Sequence, residues 1–195
     1  MNRFVIAETK RCIGCNTCMA ACSMVHKAEG LQALPRLTVT RTVEGTAPML
    51  CRHCEDAPCA RVCPVGAIAC KDNSVVLNET TCIGCKLCAI ACPFGAITPS
   101  GTGTAGVAGT IANPPSQPAT MDPMLRWEQG VRTVAVKCDM CSFSEQGPEC
   151  VRICPTKAMY VVSDAALEAS VETKRKVAAL SQGREAHLYM NKEQE

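Results

Sequence analysis

Cys82-Ile83-Gly84-Cys85-Lys86-Leu87-Cys88-Ala89-Ile90-Ala91-Cys92, followed by Pro93, is the stretch that decides how this chain folds. Its spacing, C-x2-C-x2-C-x3-C-P, is a ligand run for [4Fe–4S] clusters. Three thiolates within one short loop can grip three corners of a single iron–sulfur cube. The fourth, Cys92, is expected at the start of a short helix and points elsewhere. In two-cluster proteins with this run the fourth thiolate ligates the partner cluster, so one run implies a pair of clusters. Proline after the last Cys removes no needed donor at a helix start and fixes the backbone there.

Three further quartets repeat the theme, and together the four hold 16 of the 17 cysteines. The first is Cys12, Cys15, Cys18 and Cys22, with Ser23 where proline is expected. The second is Cys51, Cys54, Cys59 and Cys63, followed by Pro64, its middle gap widened by Glu55-Asp56-Ala57-Pro58. The third is the opening run. The fourth is Cys138, Cys141, Cys150 and Cys154, followed by Pro155, with Ser142 to Glu149 in its middle gap. Such repeats are read before any fold class. The first and third begin Cys-Ile-Gly-Cys, where Gly14 and Gly84 let the backbone pass close to a sulfur or turn tightly. Segments after the fourth Cys also echo one another: Val65-Gly66-Ala67-Ile68, Phe94-Gly95-Ala96-Ile97 and Thr156-Lys157-Ala158-Met159.

Linker length suggests which quartets cooperate. Only 18 residues separate Cys63 from Cys82. They read as a hairpin: Ala67-Ile68-Ala69, a turn at Asp72-Asn73, then Ser74-Val75-Val76-Leu77. This is the layout of a compact two-cluster ferredoxin, so quartets two and three form an inner module and quartets one and four an outer one. Under the crossed rule Cys51, Cys54 and Cys59 join Cys92, while Cys82, Cys85 and Cys88 join Cys63. Likewise Cys12, Cys15 and Cys18 join Cys154, and Cys138, Cys141 and Cys150 join Cys22. Side-by-side pairing, first with second and third with fourth, is the rival.

The expected fold class is α+β: two ferredoxin-like modules nested in one chain, little regular secondary structure and a C-terminal helical tail. Residues 1–50 and 131–163 are the halves of the outer module and 51–97 the inner module. Strands are expected at Phe4 to Ala7, Leu37 to Thr40 and Val131 to Val136. Residues 98–130 form a Gly/Thr/Pro-rich loop, least charged over 98–123. The tail, 164–195, begins with Asp164 as a cap, followed by Ala165-Ala166-Leu167-Glu168 and later Lys174-Arg175-Lys176. It has no Cys, and either docks on a partner or is a solvated end.

Composition supports metal in place of a large core. Of 195 residues only six are aromatic, while 17 are Cys. Small metallo-domains replace part of their apolar core with metal sites. The N-terminus reads as no secretory signal and no apolar run approaches the ~18 residues of a membrane span, so a cytosolic, reducing compartment is expected. The formal charge of +2 counts each Cys as neutral. Sixteen thiolates around four cubes bring the oxidised chain to about −6, and full reduction to about −10. Nucleic-acid binding is therefore not expected. Arg11, Arg52, Arg61, Lys86, Lys137 and Arg152 lie beside Cys runs, where they offset cluster charge or serve as ordinary surface cations.

Cys70, left over on the hairpin, is expected to be a small buried apolar residue. His53 lies between two ligand positions, but no quartet has a vacancy for it. His26, His53 and His187 are read as surface groups or groups beside the clusters, and Trp127 and the nine Met as packing. Asp72, Glu79 and Glu145 are read as turn or surface acids. There is no phosphate-cradling G-x-x-x-x-G-K, no G-x-S-x-G, and no acid–base pair that would serve a small-molecule substrate. A self-sufficient enzyme is not expected.

With the quartets in place, their order, the expanded second and fourth runs and the long gap before the fourth resemble the four-cluster electron-transfer subunits serving molybdenum oxidoreductases and hydrogenases. More narrowly, the chain resembles the small iron–sulfur subunits of bacterial formate hydrogenlyase, of the hydrogenase-3 or hydrogenase-4 type. The stretches that carry this are Met1 to Ala7, Gly30-Leu31-Gln32, Pro35-Arg36-Leu37, Cys51 to Cys59, Leu77 to Ile97 and Val134 to Lys157. The resemblance implies four [4Fe–4S] clusters with the nested pairing. It also implies a cytoplasmic subunit, peripheral on the cytoplasmic face of the inner membrane through a membrane-anchored complex. Its partners would be a molybdenum-dependent formate dehydrogenase subunit and a [NiFe] hydrogenase with its iron–sulfur subunits. Ser23, in place of proline after Cys22, departs from the generic run and leaves the local helix unsettled.

Three other classes fit parts of the pattern. A subunit of a sulfoxide or nitrate reductase, or a free polyferredoxin, would share the Cys runs. A zinc-binding interaction module would use C-x2–4-C pairs for closed tetrahedra. A cluster-dependent regulator would need an open coordination site or a DNA-reading element, and neither is visible.

Overall fold

The computed structural model describes residues 2–102 and 133–190, with side chains described over 2–99 and 133–181. Two units divide it: Asn2–Val161, which holds every cysteine, and Val162–Glu195.

The first unit is assembled from short elements. Strand β1 spans Phe4–Ala7 and helix α1 Thr17–Ala28. An antiparallel hairpin follows, β2 (Thr38–Thr42) against β3 (Gly45–Met49). After α2 (Pro58–Arg61) comes a second hairpin, β4 (Ile68–Lys71) against β5 (Ser74–Leu77). Its Asp72 and Asn73 have φ of 49° and 56°. A two-residue turn with both centres left-handed twists the way a hairpin needs, and Asp and Asn tolerate that region best. Helix α3 (Leu87–Ala91) leads into β6 (Ile97–Thr102), which pairs antiparallel with β7 (Thr133–Lys137). Helix α4 (Glu149–Arg152) precedes β8 (Met159–Val162), and β8 pairs with β1.

Among the described residues every sheet is two-stranded, too small to stand alone in water. The stabilising burial is in two cores. One gathers Val5, Leu37, Val39, Leu50, Met140 and Met159 around Cys18, Cys22, Cys51, Cys138 and Cys150. The other gathers Ile68, Val75, Ile97, Val134 and three alanines around Cys59, Cys82 and Cys88. Each fully buried Val or Ile contributes about 1.5–3 kcal/mol, but five of the eleven residues in the first core are cysteines. The cores are built around sulfur.

Several expectations change here. The helix of each run starts just before the third Cys, at Thr17, Pro58, Leu87 and Glu149, and not at the fourth. Cys92 sits past the end of α3 with φ −77° and ψ 112°, because a residue before proline is pushed out of the helical region. Pro93 is therefore a helix stop. Cys22, followed by Ser23, stays inside α1, which runs on to Ala28. Of the loop expected from residue 98, positions 98–102 are strand; the remainder, with Trp127 and residues 131–132 of the expected strand, lies outside the described residues. Cys70 is exposed, because β4 buries only Ile68 before the hairpin runs out beyond the core toward its turn.

The second unit is helix α5, Asp164–Met190. Alanines and long charged residues favour it, Asp164 lies in its positive first turn, and Lys176 pairs with Glu172 at 2.7 Å. Leu167, Val177 and Leu180 are exposed on it, and His187 lies beyond its described side chains. No helix among the described residues is long and apolar enough to cross a membrane.

Candidate iron–sulfur centres

The helices place the sulfurs. In each run the third and fourth Cys are four residues apart. The third always lies on the helix; the fourth lies on it only in α1 and beyond its end in α2, α3 and α4. The C-x2-C loop before it turns through left-handed residues: Gly14 and Asn16 in the first run, Gly84 and Lys86 in the third, Met140 and Cys141 in the fourth.

Two cavities each gather three sulfurs from one run and one from another. One small cavity is lined by Cys12, Cys15, Cys18 and Cys154. A second is lined by Cys63, Cys82, Cys85 and Cys88. Cys54 and Cys59 each feel the charge of Cys51 and Cys92. Cys150 feels that of Cys138, Cys141 and Cys22. Cys59 lies on α2 with Cys63 beyond its end, and Cys88 lies on α3 with Cys92 beyond its end. Cys15 and Cys85, one in each cavity, are exposed; Cys22, Cys138, Cys141 and Cys150 are all buried.

These thiols suit an inorganic cation. Burial pushes Cys18, Cys59 and Cys141 up to about 11 and Cys138 and Cys150 higher still. Several crowded thiolates cannot ionise in an apolar core unless a positive centre binds them, and binding then releases their protons. Backbone amides already face the sulfurs. The N–H groups of Arg36, His53, Ala67 and Ala158 donate to Cys22, Cys51, Cys63 and Cys154, each at 3.3 Å. Ala67 and Ala158 do so from the echoed segments, where Gly66 and Lys157 turn through φ of 62° and 50°. N–H donors at ligand sulfur tune cluster potential.

Two histidines read as surface groups or groups beside the clusters are each only 1% exposed. Because α1 continues past Cys22, His26 is carried inward one turn on. Its Nδ1 donates to the Cys22 carbonyl at 2.6 Å and its Nε2 to Asp139 Oδ1 at 3.0 Å. Burial alone would lower its pKa, but the Asp139 hydrogen bond prevails and raises it to about 9. Both nitrogens donate, as an imidazolium does. Asp139 also accepts the Cys141 N–H at 2.9 Å, and against the upward push of burial the His26 hydrogen bond holds its carboxyl low. Arg36, its side chain 3% exposed, adds Nε at 3.8 Å from Asp139 and donates to Glu79 at 2.6 Å. Glu79 is thus part of a half-buried ion pair, not a free surface acid. His53 differs: its Nδ1 accepts the Val75 N–H at 2.9 Å and burial holds it neutral. Its Nε2 is buried without a partner.

The six bases beside Cys runs also separate. Arg11, Arg61 and Arg152 pair with Glu8, Asp56 and Glu149 at the surface. Arg52 lies 5.9 Å from the Phe4 ring, and Lys86 is exposed. Lys137 alone is buried.

Comparison with known proteins agrees with this chemistry. The 4Fe-4S dicluster domain family matches residues 11–67 and the 4Fe-4S binding domain family residues 75–98. Hydrogenase-4 component A of Escherichia coli K12 is 48% identical, with all of both chains covered. Formate hydrogenlyase subunit 2 of the same strain is 52% identical over 91% of this chain and 90% of its own. Electron transport protein HydN is 38% identical over 92% of this chain and 99% of its own. The chain belongs to the family of iron–sulfur electron-transfer subunits that includes hydrogenase-4 component A and formate hydrogenlyase subunit 2.

Proposed function

We propose that this chain is a non-catalytic wire of four [4Fe–4S] clusters within a formate hydrogenlyase-type complex. The carrying observation is that two cavities are each lined by three cysteines from one run and one from another, Cys12, Cys15 and Cys18 with Cys154, and Cys82, Cys85 and Cys88 with Cys63. In this reading Cys12, Cys15, Cys18 and Cys154 hold one cluster, and Cys22, Cys138, Cys141 and Cys150 the next. Cys51, Cys54, Cys59 and Cys92 hold the third, and Cys63, Cys82, Cys85 and Cys88 the fourth. The first two make an outer ferredoxin-like module and the last two an inner one nested within it. The pairing of β1 with β8 across the chain, and of β4 with β5 inside it, supports that division.

Bound clusters supply one-electron donor and acceptor chemistry. The chain's own residues exclude water from the inner sulfurs, hold them with short helices, and direct amide N–H groups at them. Cys15 and Cys85 are exposed at opposite ends of the series, so partner proteins approach there. The relatives' names, hydrogenase-4 component A and formate hydrogenlyase subunit 2, support partners within a hydrogenase complex; in this reading those partners are a molybdenum-dependent formate dehydrogenase subunit on one side and a [NiFe] hydrogenase with its iron–sulfur subunits on the other. The complex, rather than this chain, provides the membrane anchor on the cytoplasmic face.

Anaerobic purification with its neighbours tests the reading. About 16 iron atoms with matching acid-labile sulfide are expected per chain, along with formate-dependent reduction that fails without the molybdenum partner. A colourless chain holding zinc and no sulfide would overturn it.

A further inference from the structure

Lys137 is 2% exposed, and among the described residues no carboxylate pairs with it. A buried ammonium without a counter-ion is costly and needs both hydrogen-bond acceptors and negative charge nearby. Its Nζ donates to two carbonyls, those of Val75 and, at 3.0 Å, Cys138. The first belongs to the core containing Cys59, Cys82 and Cys88, and the second to the core containing Cys22, Cys51 and Cys150. The Nζ therefore stands where the two cores meet. Val75 is itself fixed, because its N–H donates to His53 Nδ1 at 2.9 Å.

We propose that Lys137 is the fixed counter-charge of the two middle clusters, one held by Cys22, Cys138, Cys141 and Cys150 and the other by Cys51, Cys54, Cys59 and Cys92, and that it raises the reduction potential of both. This rests on the four-cluster reading above. Lys137 exchanges neither proton nor electron; it is a tuning residue. An electron arriving on either side meets a positive charge through a poorly screening interior, so the reduced form is favoured. Hydrogen bonds tie Lys137 to both sites: Cys138, whose carbonyl it holds, is a ligand position of one, and Val75 is bonded to His53, whose own N–H donates to Cys51 Sγ of the other at 3.3 Å. Each of the other five bases beside Cys runs is either paired with an acid, packed on a ring or exposed, so none can do the same for two sites at once.

The test is redox titration followed by EPR on the full chain, purified anaerobically as Lys137→Met, Lys137→Gln and Lys137→Arg, with iron and sulfide counted first. With the counts unchanged, Met and Gln should lower two of the four potentials and leave two in place. At fixed solution potential the reduced-to-oxidised ratio of those two clusters should fall about tenfold, equivalent to about 59 mV for one electron, and Arg should restore it. Four unshifted potentials, four equal shifts, or Arg behaving as Met would overturn the proposal. Should all three variants fail to assemble clusters, Lys137 is a structural fastener and the proposal is likewise overturned. A wild-type chain with far fewer than 16 iron atoms would instead sink the four-cluster reading.

Discussion

Gly84 lies so close to Thr133 that a Cβ built on it would meet the Thr133 carbonyl oxygen at 1.9 Å. The loop between Cys82 and Cys85 is pressed onto the start of β7, and only a residue without a side chain fits. Its φ of +72° adds a second demand for glycine. Gly84→Ala should destabilise the chain by about 2–4 kcal/mol, combining about 1–2 for the left-handed backbone and the rest for overpacking. Gly66→Ala is the control, since φ is also positive but nothing lies within 4 Å; about 1 kcal/mol is expected. Thermal unfolding separates them at roughly 2–4 °C per kcal/mol. Equal shifts would mean that the contact with Thr133 carries no weight.

Ser23 explains why the first helix differs from the others. The three runs ending Cys-Pro have helices of four or five residues, while α1 has 12. Ser23→Pro should remove a helical N–H and clash with the Met19 carbonyl, costing about 3 kcal/mol. It would also release His26 from Asp139 by ending the helix early. Ser23→Ala, which loses only the 3.1 Å bond from Oγ to the Met19 carbonyl, should stay within about 0.5 kcal/mol. Far-UV circular dichroism and iron content check both; a Ser23→Pro chain as helical and as iron-rich as wild type contradicts the account.

What the sequence disclosed follows from locality. Cysteine spacing, the Asp72-Asn73 turn and the apolar, β-branched run of Ser74 to Leu77 are short-range, and the structure places strands and turn there. The helix position is not legible in the run, because proline serves at both ends of helices and the spacing does not say which. The buried charge cluster was not legible at all. Arg36 meets Glu79 across 43 residues and His26 meets Asp139 across 113, with no periodicity to announce either contact. In sequence Lys137 is one of six bases beside Cys runs; only its burial and its carbonyl partners single it out.

That buried cluster makes its own prediction. Arg36→Met should leave Glu79 and Asp139 short of a cation, and breaking a buried pair from one side costs about 3–5 kcal/mol. Glu79 is 14% exposed, so the lower end is expected. Adding Glu79→Met should recover part of the loss, because two well-packed apolar residues replace a buried pair at little cost. Denaturant unfolding of the two single variants and the double variant measures the coupling. Strict additivity would show that the 2.6 Å contact contributes nothing as a pair.

Cys85 and Cys70 are both exposed cysteines on the inner part of the chain, yet they should behave oppositely. Cys85 lines the cavity shared with Cys63, Cys82 and Cys88, whereas Cys70 sits on β4 outside every sulfur group. Cys85→Ser should perturb one cluster in four, removing up to about 4 of about 16 iron atoms and altering one EPR component. Cys70→Ser should keep all the iron and shift stability by no more than about 0.5 kcal/mol. Exposure alone would treat the two residues alike, so the contrast tests placement and not accessibility. Equal iron loss in both variants would mean that the cavity around Cys85 does not hold a cluster.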